Sequence, residues 1–562
     1  MPHILFEKND TYEVALLVKD FALASKNLHK HYYEPLVEKG VASNSIIAFS
    51  LDGSRKTAKP QKEYLYQILP SLDKLQVKYL FVMDASYFKV LTGVKNTSCV
   101  YGSTYPCTIQ GYGHMQVILG VNYQVFVHDP KQKDKLDLSI VALAEAVTGL
   151  LIKKPMVFTE RKYFTRSTEP REINEALEFL LDQPELAIDI EDVSLNVMHT
   201  VVGTISFSWN TETAYVFAVA SDFADKGSSI VTDDDYYKNL IYKLRTFFSV
   251  YEGNKIFHKA NYDIKVLIYN LFMKRDPLNY EQMMIGIDKL VNNFDDTKLI
   301  AYLATNSTAR NELGLKILAL PFAGDYGKDD INDITKIPLM ELMEYNSIDT
   351  VSTFWVKEQY MPIVVQDNQL DIYETIFKPS MKDIVQMELV GVPLNMDRVK
   401  EVATILEKDI ADTNKALLDN KYVKILINQL REQEFDKKHE EWKSKTEPLS
   451  YFNYVTYNPN SDNQNRQLLY DVIGLPEINF TKGGKPSCDG DTLKDLKNHT
   501  KDPVILDILN SLAALADASI IYNNFINSFL NNSVKKADGL YYLHGNFNLG
   551  GTVSGRLSSS DP

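Results

Sequence analysis

The chain has 562 residues, 45% of them hydrophobic and 24% charged, and this ordinary globular balance excludes an intrinsically disordered protein. Its length exceeds what one hydrophobic core organises, so roughly two to four domains are expected. A formal net charge of −14 argues against binding by bulk attraction to phosphates, but excludes neither a carboxylate-rich metal pocket nor local Lys and Arg contacts.

Three cysteines, Cys99, Cys107 and Cys488, show neither paired metal-ligand spacing nor the density of a disulfide scaffold, which suits a reducing interior. Near the start, Glu7, Lys8, Asp10 and Glu13 interrupt the apolar residues, so no signal-peptide core is expected there. No later stretch reads as long and apolar enough to span a bilayer, and the expectation is a soluble, cytoplasmic protein.

Residues 1–155 read as a compact α/β unit, with apolar runs at 45–51, 78–83 and 123–128 separated by helical periodicity. His128 is the only tempting acid or base there, and most such histidines are structural. The basic and polar stretch 153–172 reads as a connector. A helix at 172–181 then leads into a short apolar strand at 186–190, followed by strands at 201–209 and 213–219 joined in a hairpin-like meander through 210–212. A strand at 256–258 runs into a helix at 262–272, further helices are expected at 296–303 and 338–358, and the Gly, Asp and Lys cluster at 323–333 reads as a surface loop. After about residue 370 the pattern changes to long helices. Among these, the charge run 431–447 fits a solvated face, and Gly and Ser cluster at 550–560. There is no internal repeat or low-complexity tract.

Chemistry concentrates in three places. Asp189 and Glu191 lie two apart on an expected strand, so both side chains leave one face and can share a metal ion. Asp263 sits at a strand-to-helix junction, where the bland explanation is a helix N-cap. Tyr345 and Asp349 are four apart on an expected helix, which stacks phenol and carboxylate on one face; alone they would be a surface pair. Each fragment is weak by itself. Their succession is more specific: a strand pair of carboxylates, a junction Asp, then a helical Tyr and Asp.

That succession resembles the DEDDy class of exonucleases. The flanking text, Ala-Ile-Asp-Ile-Glu-Asp-Val-Ser-Leu at 187–195, Val-Gly-Thr-Ile-Ser-Phe-Ser at 202–208 and Asp-Asp-Thr-Lys-Leu-Ile-Ala-Tyr-Leu at 295–303, is similar to the proofreading domain of family A DNA polymerases. The resemblance continues through Glu-Leu-Val-Gly-Val-Pro-Leu at 388–394, like the opening of the polymerase portion. The Gly-Gly-Lys-Pro-Ser segment at 483–487 looks like the thumb, and Gly-Thr-Val-Ser-Gly-Arg-Leu at 551–557 like the start of the palm. It covers residues 172–562. Residues 1–155 distantly resemble a uracil-DNA glycosylase scaffold without its water-positioning loop, so they are expected to be inactive.

The resemblance implies a fold class and three domains: an N-terminal α/β domain at 1–155, a ribonuclease H-like exonuclease domain with a mixed sheet at 165–365, and a mostly helical thumb with an incomplete palm at 370–562. It further implies 3′-to-5′ exonuclease catalysis by Asp189, Glu191, Asp263, Tyr345 and Asp349. Two divalent ions, Mg²⁺ or Mn²⁺, are expected on Asp189, Glu191, Asp263 and Asp349. Leu195 stands at the position of the family's apolar wedge, and His258, Lys259, Asn261 and Arg556 are expected to contact DNA. Lys259 departs from the pattern, because the family commonly has Asn there. The expected partners are single-stranded 3′ ends, primer-template DNA, and a second polypeptide or spliced segment that completes palm and fingers. Two alternatives are an RNA-trimming nuclease of the same class and a catalytically silent structural subunit.

Overall fold

The computed structural model describes residues 2–560 apart from positions 96, 98–99, 128–131, 150–155, 157, 306–312, 325–332, 442–446, 482 and 553. Cys99 and His128, most of the expected loop at 323–333 and part of the charge run at 431–447 lie outside the described residues. The chain divides into two compact units, Met1–Leu389 with Phe547–Ser558, and Val390–Asn546 with Ser559–Pro562.

The first unit opens with strands β1 (His3–Leu5), β2 (Val14–Lys19), β3 (Ile46–Leu51), β4 (Tyr79–Val82), β5 (Thr104–Pro106) and β6 (Gln116–Leu119), ordered β1-β3-β2-β4-β6-β5. The four central strands are parallel and the two edges antiparallel. Ala15 and Leu17 pack into one core with Leu65, Tyr87 and Phe88, while Val14, Leu16 and Val18 pack into another with Tyr32, Leu36 and Leu143. A strand covered on both faces needs no polar alternation, which is why β2 and β3 are written almost continuously in apolar residues. The apolar run expected at 123–128 instead makes a short 3₁₀ turn, Tyr123–Val127. The ladder has already closed with β6, and the Tyr123 N–H donates to the Tyr32 hydroxyl at 2.7 Å rather than to a neighbouring strand.

The second sheet of this unit holds β7 (Glu160–Phe164), β8 (Glu185–Asp192), β9 (Val202–Ser208), β10 (Thr213–Ala218), β13 (Asn254–Phe257) and β14 (Phe294–Asp296), in the order β14-β13-β8-β9-β10-β7. A small ribbon, β11 (Ser221–Phe223) with β12 (Ser228–Ile230), stands beside it. β8, β9 and β10 are antiparallel, whereas β7, β13 and β14 join in parallel, so the sheet is mixed. The stretch expected to be a connector therefore contains a strand: β7 is an edge with mostly half-exposed side chains, and its polar text hid it. β14 was also missed, because three residues are too few to show a period.

Helices α1 (Asp235–Val250), α2 (Ala260–Leu267), α3 (Thr297–Ala304), α4 (Leu315–Leu318) and α5 (Leu339–Gln366) complete the part of this unit that matters for the site. Along β9, Phe207 packs edge-on against Phe247 and at a tilt against Phe248 of α1, while its neighbour Ser206 donates to the Asn346 carbonyl of α5 at 3.0 Å. Strand alternation thus puts α1 and α5 on opposite faces of the sheet. A mixed sheet sandwiched in this way is the ribonuclease H-like arrangement expected from the motifs.

The second unit is mostly helical, with Met396–Asp419, Lys421–Glu441 and Pro503–Ile520 as its longest helices and a small antiparallel sheet of β15 (Val392–Leu394), β16 (Val534–Lys535) and β17 (Tyr541–Leu543). Leu426, Leu468, Leu496, Ile508 and Leu509 are at its core. One expectation needs correction: the helical run Pro503–Asn532, 30 residues, is long and apolar enough by length and composition to cross a membrane. Its apolarity has a packing reason, since Ile505, Ile508, Leu509, Leu512 and Leu515 line the core of this unit.

Candidate active site

The strand pair is positioned by β8, whose register sets Asp189 opposite Ser206 and Glu191 opposite Thr204 on β9. Both carboxylates consequently leave the face that α5 covers. That helix presents Asn346, Ser347, Thr350 and Thr353, all buried, toward the sheet, and small polar side chains let a helix approach closely. The contact is fastened by hydrogen bonds: Thr204 Oγ1 donates to Asn346 Oδ1 at 3.1 Å, Asn346 Nδ2 donates to Asp189 Oδ2 at 2.6 Å, and Ser206 meets Thr350. The outcome is convergence. One carboxylate oxygen each from Asp189, Glu191 and Asp349 lie within 4.8 Å of one another.

Asp263, on the first turn of α2, is buried, and it stands close enough for its charge to raise the proton affinity of Asp189 and Glu191. Burial and then the neighbouring Asp349 hold the Asp189 and Glu191 carboxyls well above the usual carboxylate range; burial and then Asp192 do the same to Asp263. Several carboxyls that resist ionisation together are what a divalent cation would relieve, and an all-oxygen donor set suits a hard ion such as Mg²⁺ or Mn²⁺. The residues therefore fit the cofactor expected from the sequence. Tyr345 lies on the same helix as Asp349 and hydrogen-bonds to it; burial, then the Asp349 charge, pushes its phenol far above the ordinary range, so it keeps its proton at neutral pH.

Three neighbours went unrecognised in the sequence. Lys316 of α4 sits over the Tyr345 ring, 4.9 Å from its centroid, and its charge favours ionised Glu191. Tyr262 donates to Asp192 Oδ2 at 2.6 Å; even so, burial pushes the Asp192 carboxyl up to about 6. Asn346 holds Asp189, as above. Its place directly after Tyr345 was the only available signal, whereas nothing in the sequence marked Lys316.

The residues expected to touch DNA separate into two groups. Leu195, in the loop after β8, is 84% exposed and so is not a core residue, and Lys259 and Arg556 are also exposed. His258 and Asn261 turn inward. The His258 ring nitrogens meet the Thr297 hydroxyl at 2.8 Å and the Leu313 carbonyl at 3.0 Å, and burial depresses its pKa to about 3. Asn261 is buried and donates to the Phe547 carbonyl at 3.3 Å and to Glu388 Oε1 at 3.4 Å.

With the geometry in place, comparison with known proteins agrees. Residues 164–363 match a family model of the DNA polymerase A exonucleases, described as 3′-5′ exonuclease. The chain is 23% identical over 474 residues to a DNA polymerase of Bacillus phage SP01, covering 77% of this chain and 48% of that protein. It is 24% identical over 397 residues to a DNA polymerase of Escherichia phage T5, covering 66% of this chain and 41% of that protein. The chain thus matches about half the length of these curated relatives or less. A solved structure, the POL domain of Pol1 from M. smegmatis in complex with DNA primer-template and dNTP, aligns with 72% of this chain and 55% of that one at 16% identity and a TM-score of 0.47. Residues 164–363 thus match the 3′-5′ exonuclease domain of the DNA polymerase A family, and over more of its length the chain is similar to phage DNA polymerases.

Proposed function

We propose that this chain proofreads DNA, releasing mononucleotides from a single-stranded 3′ end by metal-assisted hydrolysis. The observation that carries this reading is the convergence of Asp189, Glu191 and Asp349 within 4.8 Å, beside Tyr345. Two divalent ions, when bound, would supply a nucleophilic water at neutral pH and charge neutralisation at the phosphate. Asp189, Glu191 and Asp349 would hold one and Asp263 would help hold the second. In hydrolysis the water oxygen bonds to phosphorus, the P–O3′ bond breaks, the 5′-mononucleotide leaves, and the shortened strand keeps a 3′ hydroxyl.

The chain's own groups divide the remaining work. Tyr345, kept as a phenol, orients the attacking water by hydrogen bonding rather than by taking its proton. Asn346 fixes the Asp189 carboxylate, and Leu195, exposed after the motif strand, is suited to push between the last two bases and splay the end. Lys259 offers a cation to the strand, whereas His258 and Asn261 support the backbone around it. In this reading residues 1–155 are a non-catalytic domain, 165–365 the exonuclease, and 370–562 a thumb and part of the palm that contact primer-template DNA through Arg556. The site of action is the cytoplasm of the host cell.

The test is the Asp189→Ala/Glu191→Ala double variant, assayed for Mg²⁺-dependent release of mononucleotides from 5′-labelled single-stranded DNA. Activity should fall by at least about a thousandfold, because the ion site loses two of its ligands. Circular dichroism should remain native. Full activity in the double variant would remove the assignment.

A further inference from the structure

On the face of the exonuclease sheet opposite the carboxylates, α1 and the turn after Phe272 enclose a groove of about 470 Å³. Tyr237 and Tyr242 of α1 and Leu271 supply its apolar wall; Lys238, Arg245 and Lys274 supply its charge. In a chain with 74 acidic and 60 basic residues, this lining contains three cations and no carboxylate. Among the described residues none of these cations makes an ion pair within 4.0 Å, although the Lys238 charge helps hold Asp234 ionised, and Arg245 donates to the neutral Gln282 amide at 2.5 Å. Tyr242 is 70% exposed, with its ring presented to solvent. At the groove's edge Lys274 and Arg275 both adopt left-handed backbone, φ of 53° and 61°, which non-glycine residues avoid.

Cations beside exposed aromatic rings are the pairing that single-stranded nucleic acid uses: phosphates meet Lys and Arg, and bases stack on the rings without sequence preference. We propose that this groove is a second binding site for single-stranded DNA, separate from the hydrolytic site and holding the strand at a distance from its 3′ end. Charge complementarity alone recommends the strand as occupant, whatever the carboxylate site does. Phosphate contact fits the local charge, and base stacking accounts for the exposure of the Tyr242 ring.

The test uses the full chain carrying Asp189→Ala/Glu191→Ala, in EDTA, with fluorescein-labelled dT20 and dT4. Adding Lys238→Gln, Tyr242→Ala and Lys274→Gln should weaken dT20 binding by at least about tenfold and lower the salt slope by about 1.4, since two phosphate contacts are lost at about 0.7 each. Binding of dT4, short enough for the carboxylate site alone, should not change. Photocrosslinking of 5-iodouracil-substituted dT20 should label the peptide that contains Tyr242. Unchanged dT20 affinity and slope, or crosslinks that avoid this helix, would overturn the proposal. So would a variant that keeps dT20 binding but loses affinity for an oligo-aspartate peptide bearing one Phe. Full Mg²⁺-dependent hydrolysis by the Asp189→Ala/Glu191→Ala chain, with dT20 binding still lost on the groove substitutions, would count against the nuclease reading only.

Discussion

At the scale of single residues, the motif positions have separable physical causes. Asp296 accepts from the backbone N–H groups of Lys259 and Ala260 at 3.0 Å and of Lys298 at 2.9 Å, so one carboxylate caps α2 and α3 together. Its neighbour Asp295 accepts from Tyr373 at 3.0 Å and Asn254 at 2.7 Å, and pairs with Lys357 at 3.0 Å. The Asp-Asp-Thr text is thus scaffolding for the site. Lys259 has a left-handed backbone with φ of 63°, a conformation Asn tolerates better, which gives a physical reason for the Asn that the resemblance led one to expect there. Lys259→Asn should therefore stabilise the protein by about 0.5–1 kcal/mol, read as a higher urea midpoint. The same change should raise KM for single-stranded DNA if the ammonium meets a phosphate.

At the scale of elements, the site depends on how closely helices meet the sheet and one another. Gly203 on β9 is needed for close approach: a Cβ there would stand 2.5 Å from Ile334 Cδ1 and 3.0 Å from the Glu191 carbonyl. Gly550, with φ of 65°, lies against the Tyr302 ring in the same way, and Tyr302 donates to the Thr552 carbonyl at 2.9 Å, fastening the Gly-rich segment to α3. Glu388 is the other fastening. Its carboxylate, 1% exposed, pairs with Lys265 of α2 at 2.9 Å and accepts the Phe547 N–H at 2.6 Å. Lys265→Met leaves that carboxylate buried without its cation and should cost about 3–5 kcal/mol in chemical denaturation. Adding Glu388→Gln should recover part of the loss, the signature of a coupled pair. A double variant as unstable as the sum of two singles would contradict this coupling.

At the scale of the whole molecule, the clustered carboxyls make stability depend on pH and metal together. Asp189, Glu191 and Asp263 have folded-state pKa values raised by burial, so the unfolded chain gives up its protons first. Without metal, stability should fall as pH rises above about 4, where free carboxyls ionise, and continue falling through the raised folded-state values. His258, depressed to about 3, has the opposite sign: its contribution is present above about 6.5 and is lost as pH falls below that value. Comparing wild type with Asp189→Asn/Glu191→Gln cancels the histidine. In EDTA the wild type should lose more Tm than the variant between pH 5.5 and pH 8, and Mg²⁺ should restore more Tm at pH 8, where it displaces fewer protons. Equal Mg²⁺ shifts at both pH values, or in both proteins, would argue against a shared ion site.

Sequence by itself determined the order of the chemistry and most of the local structure that bears it. β8, β9 and β10 were legible because doubly covered strands are written in long apolar runs, and α5 because its spacing put Tyr345 and Asp349 on one face. β7 was hidden by the polar text of an edge, and Tyr123–Val127 was apolar enough to suggest more than a turn. Only the tertiary structure decided that Asp189 and Asp349, 160 residues apart, share a cluster, that His258 and Asn261 face inward, and that Lys316 lies over Tyr345. Local patterning follows from nearest neighbours and periods of 2 and 3.6 residues, whereas convergence depends on which distant side chains are small enough, or paired well enough, to let elements close on one another.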